Sequence, residues 1–326
     1  MKMWPWLAGA GLAAACAMAQ AQTSSAAQAE KVGWQSIVCA GSPTVCQPLQ
    51  AQGYLFATPG AKSVVMITHG SQGIDSRMYD YVDSLRKEGF AALVIDHWGP
   101  RGVRTTHDDY VAASQKGANE FNMAADSLTA AEWLRGRGYV RVGSIGESQG
   151  GGAAVMLQQK FAHAVIERNV RRVWNKPFEL KPVDAVVGMY APCGYRNARR
   201  DGYVATPFLF ILGEVDDETP ARYCERHVDW MNARGGNARA IVLPGEGHSF
   251  DAPYRRQRGF GPHYAKCDVL VDETGTTELN SGMKLPGDDA AGMFARCVSR
   301  GGFHTGWWKD RFVAVPHWIG FFRQHL

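Results

Sequence analysis

The stretch Gly146-Glu147-Ser148-Gln149-Gly150 decides the interpretation of this chain because of its flanks. Residues 139–145 before it form a short apolar run typical of a buried strand, and residues 150–160 after it have helical spacing. A sharp strand-to-helix turn strains the backbone at its central residue and directs that side chain above the sheet, near the positive end of the helix. This context favours Ser148 as a nucleophile over a purely structural serine.

Away from this turn, apolar runs alternate with helical patterns. The predicted strands are 64–68, 90–95, 183–189, 208–212 and 238–243, and the predicted helices are 76–88, 120–135 and 220–233. Such alternation predicts an α/β fold with a mostly parallel central sheet flanked by helices. Residues 251–303 are polar and Gly-rich, so we predict an insertion there, before a last helical segment over 307–326 that Pro316 kinks or splits. We expect a single domain over 22–326.

The first residues have the character of a targeting segment. Lys2 precedes the apolar stretch Trp4 to Ala19, and small residues with A-x-A spacing end at Ala19 or Ala21. We therefore predict a signal peptide over 1–21, a periplasmic or secreted protein, and no stable membrane insertion once the signal is removed. The net charge of +4 and the lack of a long basic run argue against nucleic acid as a partner.

Cysteine usage agrees with export. Removal of the signal would also remove Cys16 and leave six cysteines, an even number in an oxidising compartment. Proximity along the chain proposes the pairs Cys39–Cys46, Cys193–Cys224 and Cys267–Cys297. Metal binding is the rival explanation, but the sequence has no C-x-x-C pair and no metal-binding helical histidine pair, so no metal is predicted.

A nucleophilic serine needs a base and an acid that orients the base. The strand 208–212 leads into Asp216 and Asp217, and the strand 238–243 leads into the Gly-rich turn that contains His248. Both loops follow strands, so their side chains converge at the carboxyl edge of the sheet. We predict His248 as the base and prefer Asp216 as the acid, with Asp217 capping the helix near Pro220; Asp217 stays open as the alternative acid.

Negative charge on a reacting carbonyl needs two N–H donors. The amide that follows the nucleophile, that of Gln149, is one candidate, and Ser71 in the loop after the strand 64–68 is the other. His69, at the start of that loop, is predicted to be structural. His97 and Arg101 are candidates for the wall of a substrate pocket, with a structural role for Arg101 as the alternative.

Taken in order, these motifs resemble the dienelactone hydrolase family of the α/β-hydrolase superfamily. The shared patterns are H-G-x-x-G at 69–73, D-x-x-G-P-R-G at 96–102, G-x-S-x-G-G at 146–151, G-x-x-D-x-x-x-P at 213–220 and G-x-G-H-x-F at 245–250. The resemblance implies an α/β-hydrolase fold with Ser148, Asp216 and His248 as a triad. It departs from the family at the nucleophile, because the dienelactone-cleaving members use cysteine where this chain has Ser148.

The expected function is cleavage of a small-molecule carboxylic ester through an acyl-enzyme, without cofactor. A peptidase of the same fold, or a polyester or lipid hydrolase, is the nearest alternative. A non-catalytic binding protein on this fold is a more distant one, since nucleophile, acid, base and oxyanion loop are all present in order. The sequence leaves the acyl and alcohol groups and the oligomeric state open.

Overall fold

A computed structural model of the chain describes residues 29–39, 45–200 and 202–326, so the predicted signal segment lies outside the described residues. Its strands are β1 (Glu30–Cys39), β2 (Cys46–Phe56), β3 (Ser63–Thr68), β4 (Ala91–Asp96), β5 (Arg141–Glu147), β6 (Ala185–Met189), β7 (Tyr195–Asn197), β8 (Pro207–Gly213), β9 (Asn237–Leu243), β10 (Gln257–His263), β11 (Val269–Asp272), β12 (Gly275–Glu278), β13 (Lys284–Leu285) and β14 (Ser299–Thr305).

The described helices are α1 (Ser76–Lys87), α2 (Tyr110–Gln115), α3 (Glu120–Gly136), α4 (Gln149–Met156), α5 (Lys160–Trp174), α6 (Ala221–Asn232), α7 (Ala290–Cys297) and α8 (Val315–His325). Short 3₁₀ turns lie at Gly99–Arg101 and Ala198–Arg200.

The central sheet has eight strands in the order β1-β2-β4-β3-β5-β6-β8-β9. From β4 to β9 all neighbours are parallel, and only β1 and β2 run antiparallel to the strands they pair with. The predicted fold class is therefore confirmed. Parallel neighbours place the carboxyl ends of β3, β5, β8 and β9 at one edge, where the loops that follow them meet.

Both faces of the sheet are covered, which is why its strands are continuous apolar runs. Alternate residues of one strand serve opposite faces: Val65 and Ile67 pack in a cluster with α1 and α8, whereas Val64 and Met66 pack with α3, α5 and α6. The core is thus split into two layers by the sheet.

The N-terminal hairpin β1–β2 was not among the predicted strands. Its register runs from Glu30 opposite Leu55 to Cys39 opposite Cys46. On β1, buried and exposed residues alternate, so only one face is apolar and the pattern lacks the continuous apolar run of the parallel strands. The predicted helix 150–160 is also shorter than expected, ending at Met156 before the separate helix α5.

The C-terminal segment differs from the prediction of a kinked helix. Pro316 stands in the first turn of α8, where its missing N–H has no helical partner to lose, so the helix begins there instead of bending. Trp318 and Phe322 are buried as predicted for an apolar stripe. Trp308 and Phe312, each 47% exposed, precede the helix and are not part of the core.

The polar segment 251–303 contains small sheets of its own. Strands β10 and β14 form an antiparallel pair, and β11–β13 join β7 in a four-stranded sheet. A backbone bridge between His248 and Thr305 ties the end of β14 to the loop after β9. The segment therefore lies against the carboxyl edge of the central sheet.

Three disulfides join Cys39 to Cys46, Cys193 to Cys224 and Cys267 to Cys297, the pairs proposed from the sequence. The first closes the end of the β1–β2 hairpin, and the third fastens α7 to the segment before β11. Within the described ranges, no helix is both long and apolar enough to span a bilayer.

Candidate active site

Ser148 stands at the turn between β5 and α4 with φ 49° and ψ −116°, a conformation that an L-residue adopts at an energetic cost. Two glycines make the turn possible. A Cβ on Gly146 would lie 2.1 Å from the carbonyl oxygen of Gly150, and one on Gly150 would lie 2.3 Å from that of Thr68. The flanking glycines therefore permit the close backbone contacts that hold the serine above the sheet.

His248 reaches this serine from the loop after β9. Its Nε2 lies 3.0 Å from Ser148 Oγ. The amide of His248 donates to the carbonyl of His304 at 2.7 Å, and Gly306 donates back to the carbonyl of His248 at 2.9 Å. The end of β14 thus fixes the histidine backbone, and the imidazole is placed where it can accept the hydroxyl proton.

Asp216, in the loop after β8, lies on the other side of the same imidazole. Its Oδ2 is 2.9 Å from His248 Nδ1, while its Oδ1 accepts from the amides of Glu218 and Thr219 at 3.0 and 2.8 Å. The Thr219 hydroxyl lies 2.9 Å from Oδ2 and 3.1 Å from the carbonyl of Tyr190, so it can donate to either oxygen. The carboxylate is held by its own loop and orients the imidazole.

Asp217 occupies a different place from the one predicted. The N-cap of α6 is Pro220, without a side-chain hydrogen bond, so Asp217 does not cap that helix. Its Oδ1 accepts from the amide of His304 at 2.6 Å, and its Oδ2 lies 3.1 Å from Arg258. The prediction of a capping role was wrong because the carboxylate of Asp217 binds the amide of His304, a residue of β14 that is remote in the sequence.

Two nearby acids set the charge of the base. Burial lowers the pKa of His248, but the negative charges of Glu218 and Asp216 outweigh it and raise the pKa to about 9. Burial raises the pKa of Glu218 to about 7, against the attraction of His248. The Glu218 Oε2 lies 3.5 Å from His248 Nε2, beside the atom that faces Ser148.

Of the two predicted oxyanion donors, Gln149 directly follows this serine, and Ser71 follows Gly70, where an added Cβ would lie 3.2 Å from Ser148 Cβ. Gln149 is the first residue of α4, so its amide has no partner within the helix. The loop of Ser71 is held through its carbonyl, which accepts from the Thr106 amide at 2.9 Å and the Thr105 hydroxyl at 3.0 Å. Both amides stay candidates for receiving negative charge.

Glu147 immediately precedes Ser148, and the sequence motif alone assigns it no role. Its buried carboxylate accepts from the amide of Gly70 at 3.1 Å, and so holds the start of the oxyanion loop. Its second oxygen lies 2.5 Å from Arg77 and 2.5 Å from the hydroxyl of Tyr190. A charged residue at the end of a buried strand needs such partners, which is the signal that could have revealed the network.

Tyr190 extends this network to the base. Its hydroxyl also lies 2.8 Å from Asp251, and its ring packs edge-on against His248 with centroids 4.9 Å apart. Tyr190 and Ser249 have positive φ, as Ser148 does, so three of the four non-glycine residues of this kind in the described chain surround the site. Backbone strain of this kind is typical of functional sites.

The residues after β3 and β4 lie beneath the site. His69 is fully buried, with Nδ1 2.8 Å from the Gly70 carbonyl and Nε2 accepting from the His97 amide at 3.2 Å, and burial lowers its pKa to about 3. This agrees with a structural role. His97 and Arg101 are buried too, bonded to Asp126 at 2.9 and 2.8 Å. These contacts do not support a place in a substrate-pocket wall for either residue, and for Arg101 they agree with the structural alternative.

The sequence model of the prolyl oligopeptidase family matches residues 78–265. No curated protein matches the chain. Similar solved structures include a dienelactone hydrolase from Anabaena variabilis, with 22% identity, a TM-score of 0.46, and coverage of 69% of this chain and 91% of that one.

Two others are Est1E from Butyrivibrio proteoclasticus, with 15% identity, a TM-score of 0.41 and coverage of 67% and 90%, and an α/β serine hydrolase without a lid from Xanthomonas campestris. The latter has 14% identity, a TM-score of 0.42 and coverage of 67% and 86%. It is the family-model match over residues 78–265 that supports the predicted resemblance to hydrolases of this kind.

Proposed function

This chain belongs to the prolyl oligopeptidase family, and from that premise we propose that it is an exported serine hydrolase that cleaves carboxylic esters. Ser148 is the nucleophile, His248 the base and Asp216 the acid that orients it. The observation that carries the proposal is the unbroken path from Ser148 Oγ to His248 Nε2 at 3.0 Å and from His248 Nδ1 to Asp216 Oδ2 at 2.9 Å.

The reaction has two acyl transfers. His248 Nε2 takes the hydroxyl proton as Ser148 Oγ bonds to the ester carbonyl carbon, and the amides of Gln149 and Ser71 stabilise the oxyanion. The C–O bond to the alcohol breaks as Nε2 returns the proton to the leaving oxygen. Water then repeats the sequence on the acyl-enzyme and frees the acid and the serine.

Asp216 stabilises the imidazolium that exists between these proton transfers. Because the base must start neutral, the raised pKa of His248 implies that activity increases with pH through the range near 9. The strained turn and the Glu147 network hold nucleophile, oxyanion loop and base in place before substrate arrives, so little reorganisation is needed.

Peptide-bond cleavage is the second candidate, favoured by the description of the matching family. The same triad serves both reactions, so the geometry of Ser148, His248 and Asp216 does not separate them. A panel of p-nitrophenyl esters beside peptide p-nitroanilides distinguishes the two, since both release coloured products. We expect hydrolysis of the esters, and faster turnover of the anilides would replace esterase by peptidase.

The proposed nucleophile is tested with a fluorophosphonate probe on the wild type and on Ser148→Ala. We expect labelling and ester hydrolysis in the wild type and neither in the variant, with unchanged circular dichroism as the check on folding. Labelling that survives the substitution would assign the chemistry to another residue.

Export is supported by the three disulfides, which persist in oxidising compartments. N-terminal sequencing of protein recovered from the periplasm or medium is the test. We expect a mature chain starting at Gln20 or Gln22, and recovery of the full chain from the cytosol alone would contradict export.

A further inference from the structure

Glu218 is a carboxylate at the reaction centre that the proposed mechanism does not use. Its side chain is 11% exposed, and its Oε2 lies 3.5 Å from His248 Nε2, the nitrogen that faces Ser148. Its backbone is fixed from two sides, because its amide donates to Asp216 at 3.0 Å and its carbonyl accepts from Tyr264 at 3.1 Å. Within the described part of the chain, its carboxylate accepts no hydrogen bond, and its ion-pair partner is the imidazole of His248.

Among the described residues, His248 is the one group that can offset the charge of Glu218. The charges that act on it are those of His248, Asp216 and Asp217, two of which are negative. No Arg or Lys of the described chain forms an ion pair with it. A second acid, Glu120, accepts from the Tyr110 hydroxyl at 2.7 Å. The phenol of Tyr264 is close enough to both carboxylates that they add to the burial that raises its pKa.

The position of Glu218 relative to the reaction follows from the role of Nε2. This nitrogen delivers the proton to the leaving oxygen, so a group 3.5 Å from it stands beside the alcohol half of the ester. Resting on the proposed function, we propose that Glu218 is a specificity-determining residue that selects esters whose alcohol half carries a cationic ammonium group two or three bonds from the ester oxygen.

Such a substrate also changes the base. While no substrate cation lies beside Glu218, its negative charge favours the protonated form of His248, which cannot accept the serine proton. An ammonium group beside Glu218 cancels that charge, and the imidazole becomes easier to deprotonate. Binding of a cation therefore prepares the base, while the Ser148 hydroxyl, His248 and Asp216 perform the same bond changes as with any other ester.

The test compares acetylthiocholine with its neutral carbon isostere, 3,3-dimethylbutyl thioacetate, at pH 8, with thiol release followed by a disulfide reagent. Both substrates give the same acetyl-enzyme, so the ratio of their kcat/KM values reports only on recognition of the leaving half. We expect the wild type to favour the cation, and Glu218→Gln to reduce that ratio about tenfold, as the loss of one charge a few ångströms away implies.

Asp217→Asn is the matched control, because it removes a neighbouring carboxylate that contacts Arg258 and the His304 amide instead of His248. We expect it to keep the cation preference. A ratio within twofold of wild type in Glu218→Gln overturns the inference, as does an equal loss in both variants.

Failure of the wider proposal gives a different result. If p-nitrophenyl acetate is hydrolysed in a Ser148-dependent way but neither thioester is, the selection by Glu218 is refuted while the serine hydrolase stands. If the wild type hydrolyses none of these compounds, or Ser148→Ala hydrolyses them equally well, the proposed function itself is refuted.

Discussion

The molecule contains two buried histidine–aspartate pairs of nearly identical geometry. In one, His248 Nδ1 lies 2.9 Å from Asp216, and in the other, His97 Nδ1 lies 2.9 Å from Asp126. Both histidines follow strands of the central sheet and both are almost completely buried. The pair as such therefore does not identify a catalytic base.

Their surroundings separate the two. Arg101 lies 2.8 Å from Asp126 and neutralises it, and burial lowers the pKa of His97. The Nε2 of His97 has no hydrogen-bond partner among the described residues. By contrast, no arginine in the described part of the chain pairs with Asp216, the pKa of His248 is raised to about 9, and its Nε2 faces a serine hydroxyl. The difference shows that the second nitrogen and the local net charge decide the role of the imidazole.

Removal of each imidazole is the strongest test of the difference between the two pairs. His248→Ala should reduce kcat/KM for p-nitrophenyl acetate by about 10⁴-fold or more, since the serine loses its base. His97→Gln should stay within about tenfold of wild type, because this side chain contacts no reacting group. Initial rates over a substrate series give both values, and a loss in His97→Gln as large as that in His248→Ala would remove the distinction.

Asp216 and Asp217 provide a second contrast. Substitution of each one tests which of them is the triad acid, a choice that the sequence leaves open. Asp216→Asn should reduce kcat by about 10⁴-fold, because the imidazole then takes the wrong tautomer. Asp217→Asn should lose less than about tenfold, since its carboxylate binds β14 and Arg258. Steady-state kinetics at one pH suffice. If the two variants exchange these effects, Asp217 is the triad acid.

The free energy of unfolding should respond in the opposite order, with the larger loss in Asp126→Asn than in Asp216→Asn. Asp126→Asn leaves the Arg101 guanidinium buried without its counter-charge and is expected to reduce the free energy of unfolding by about 3–5 kcal/mol. Asp216→Asn should cost less, because the buried His248 imidazolium keeps a second carboxylate, that of Glu218, as a partner. Midpoints of urea unfolding measure both, and a larger loss in Asp216→Asn would contradict a structural role for the His97–Asp126–Arg101 group.

The smallest effect is a shift in pH dependence. Wild-type kcat/KM should fall as pH decreases through the range near 9, because His248 becomes protonated. Glu218→Gln removes the first of the negative charges that raise this pKa, so the falling limb should move to lower pH, toward the ordinary value of 6.5. A pH profile of each protein is the measurement, and identical limbs would show that Glu218 does not influence the base.

Much of the fold was predictable because the decisive signals are local. A parallel strand covered on both faces must be a continuous apolar run, and the predicted strands from 64–68 to 238–243 match β3, β4, β5, β6, β8 and β9 to within a few residues. The hairpin β1–β2 escaped prediction because one apolar face gives a weaker pattern. The place of Pro316 depended on where its helix begins, which packing of Trp318 against Tyr81 helps to set.

For the site, the sequence by itself determined the turn around Ser148, since strand, glycines and helix are adjacent in the chain. It also determined that acid and base candidates follow later strands. Only the tertiary structure brings Asp216, and not Asp217, within 2.9 Å of His248 Nδ1, while Asp217 binds the amide of His304, almost ninety residues away in the chain. The surroundings of Glu147 and Glu218 also depend on the tertiary structure. The fold of the sheet brings Arg77 and Gly70 to Glu147 and His248 to Glu218, and these partners are too far away in the chain for a local sequence pattern to predict.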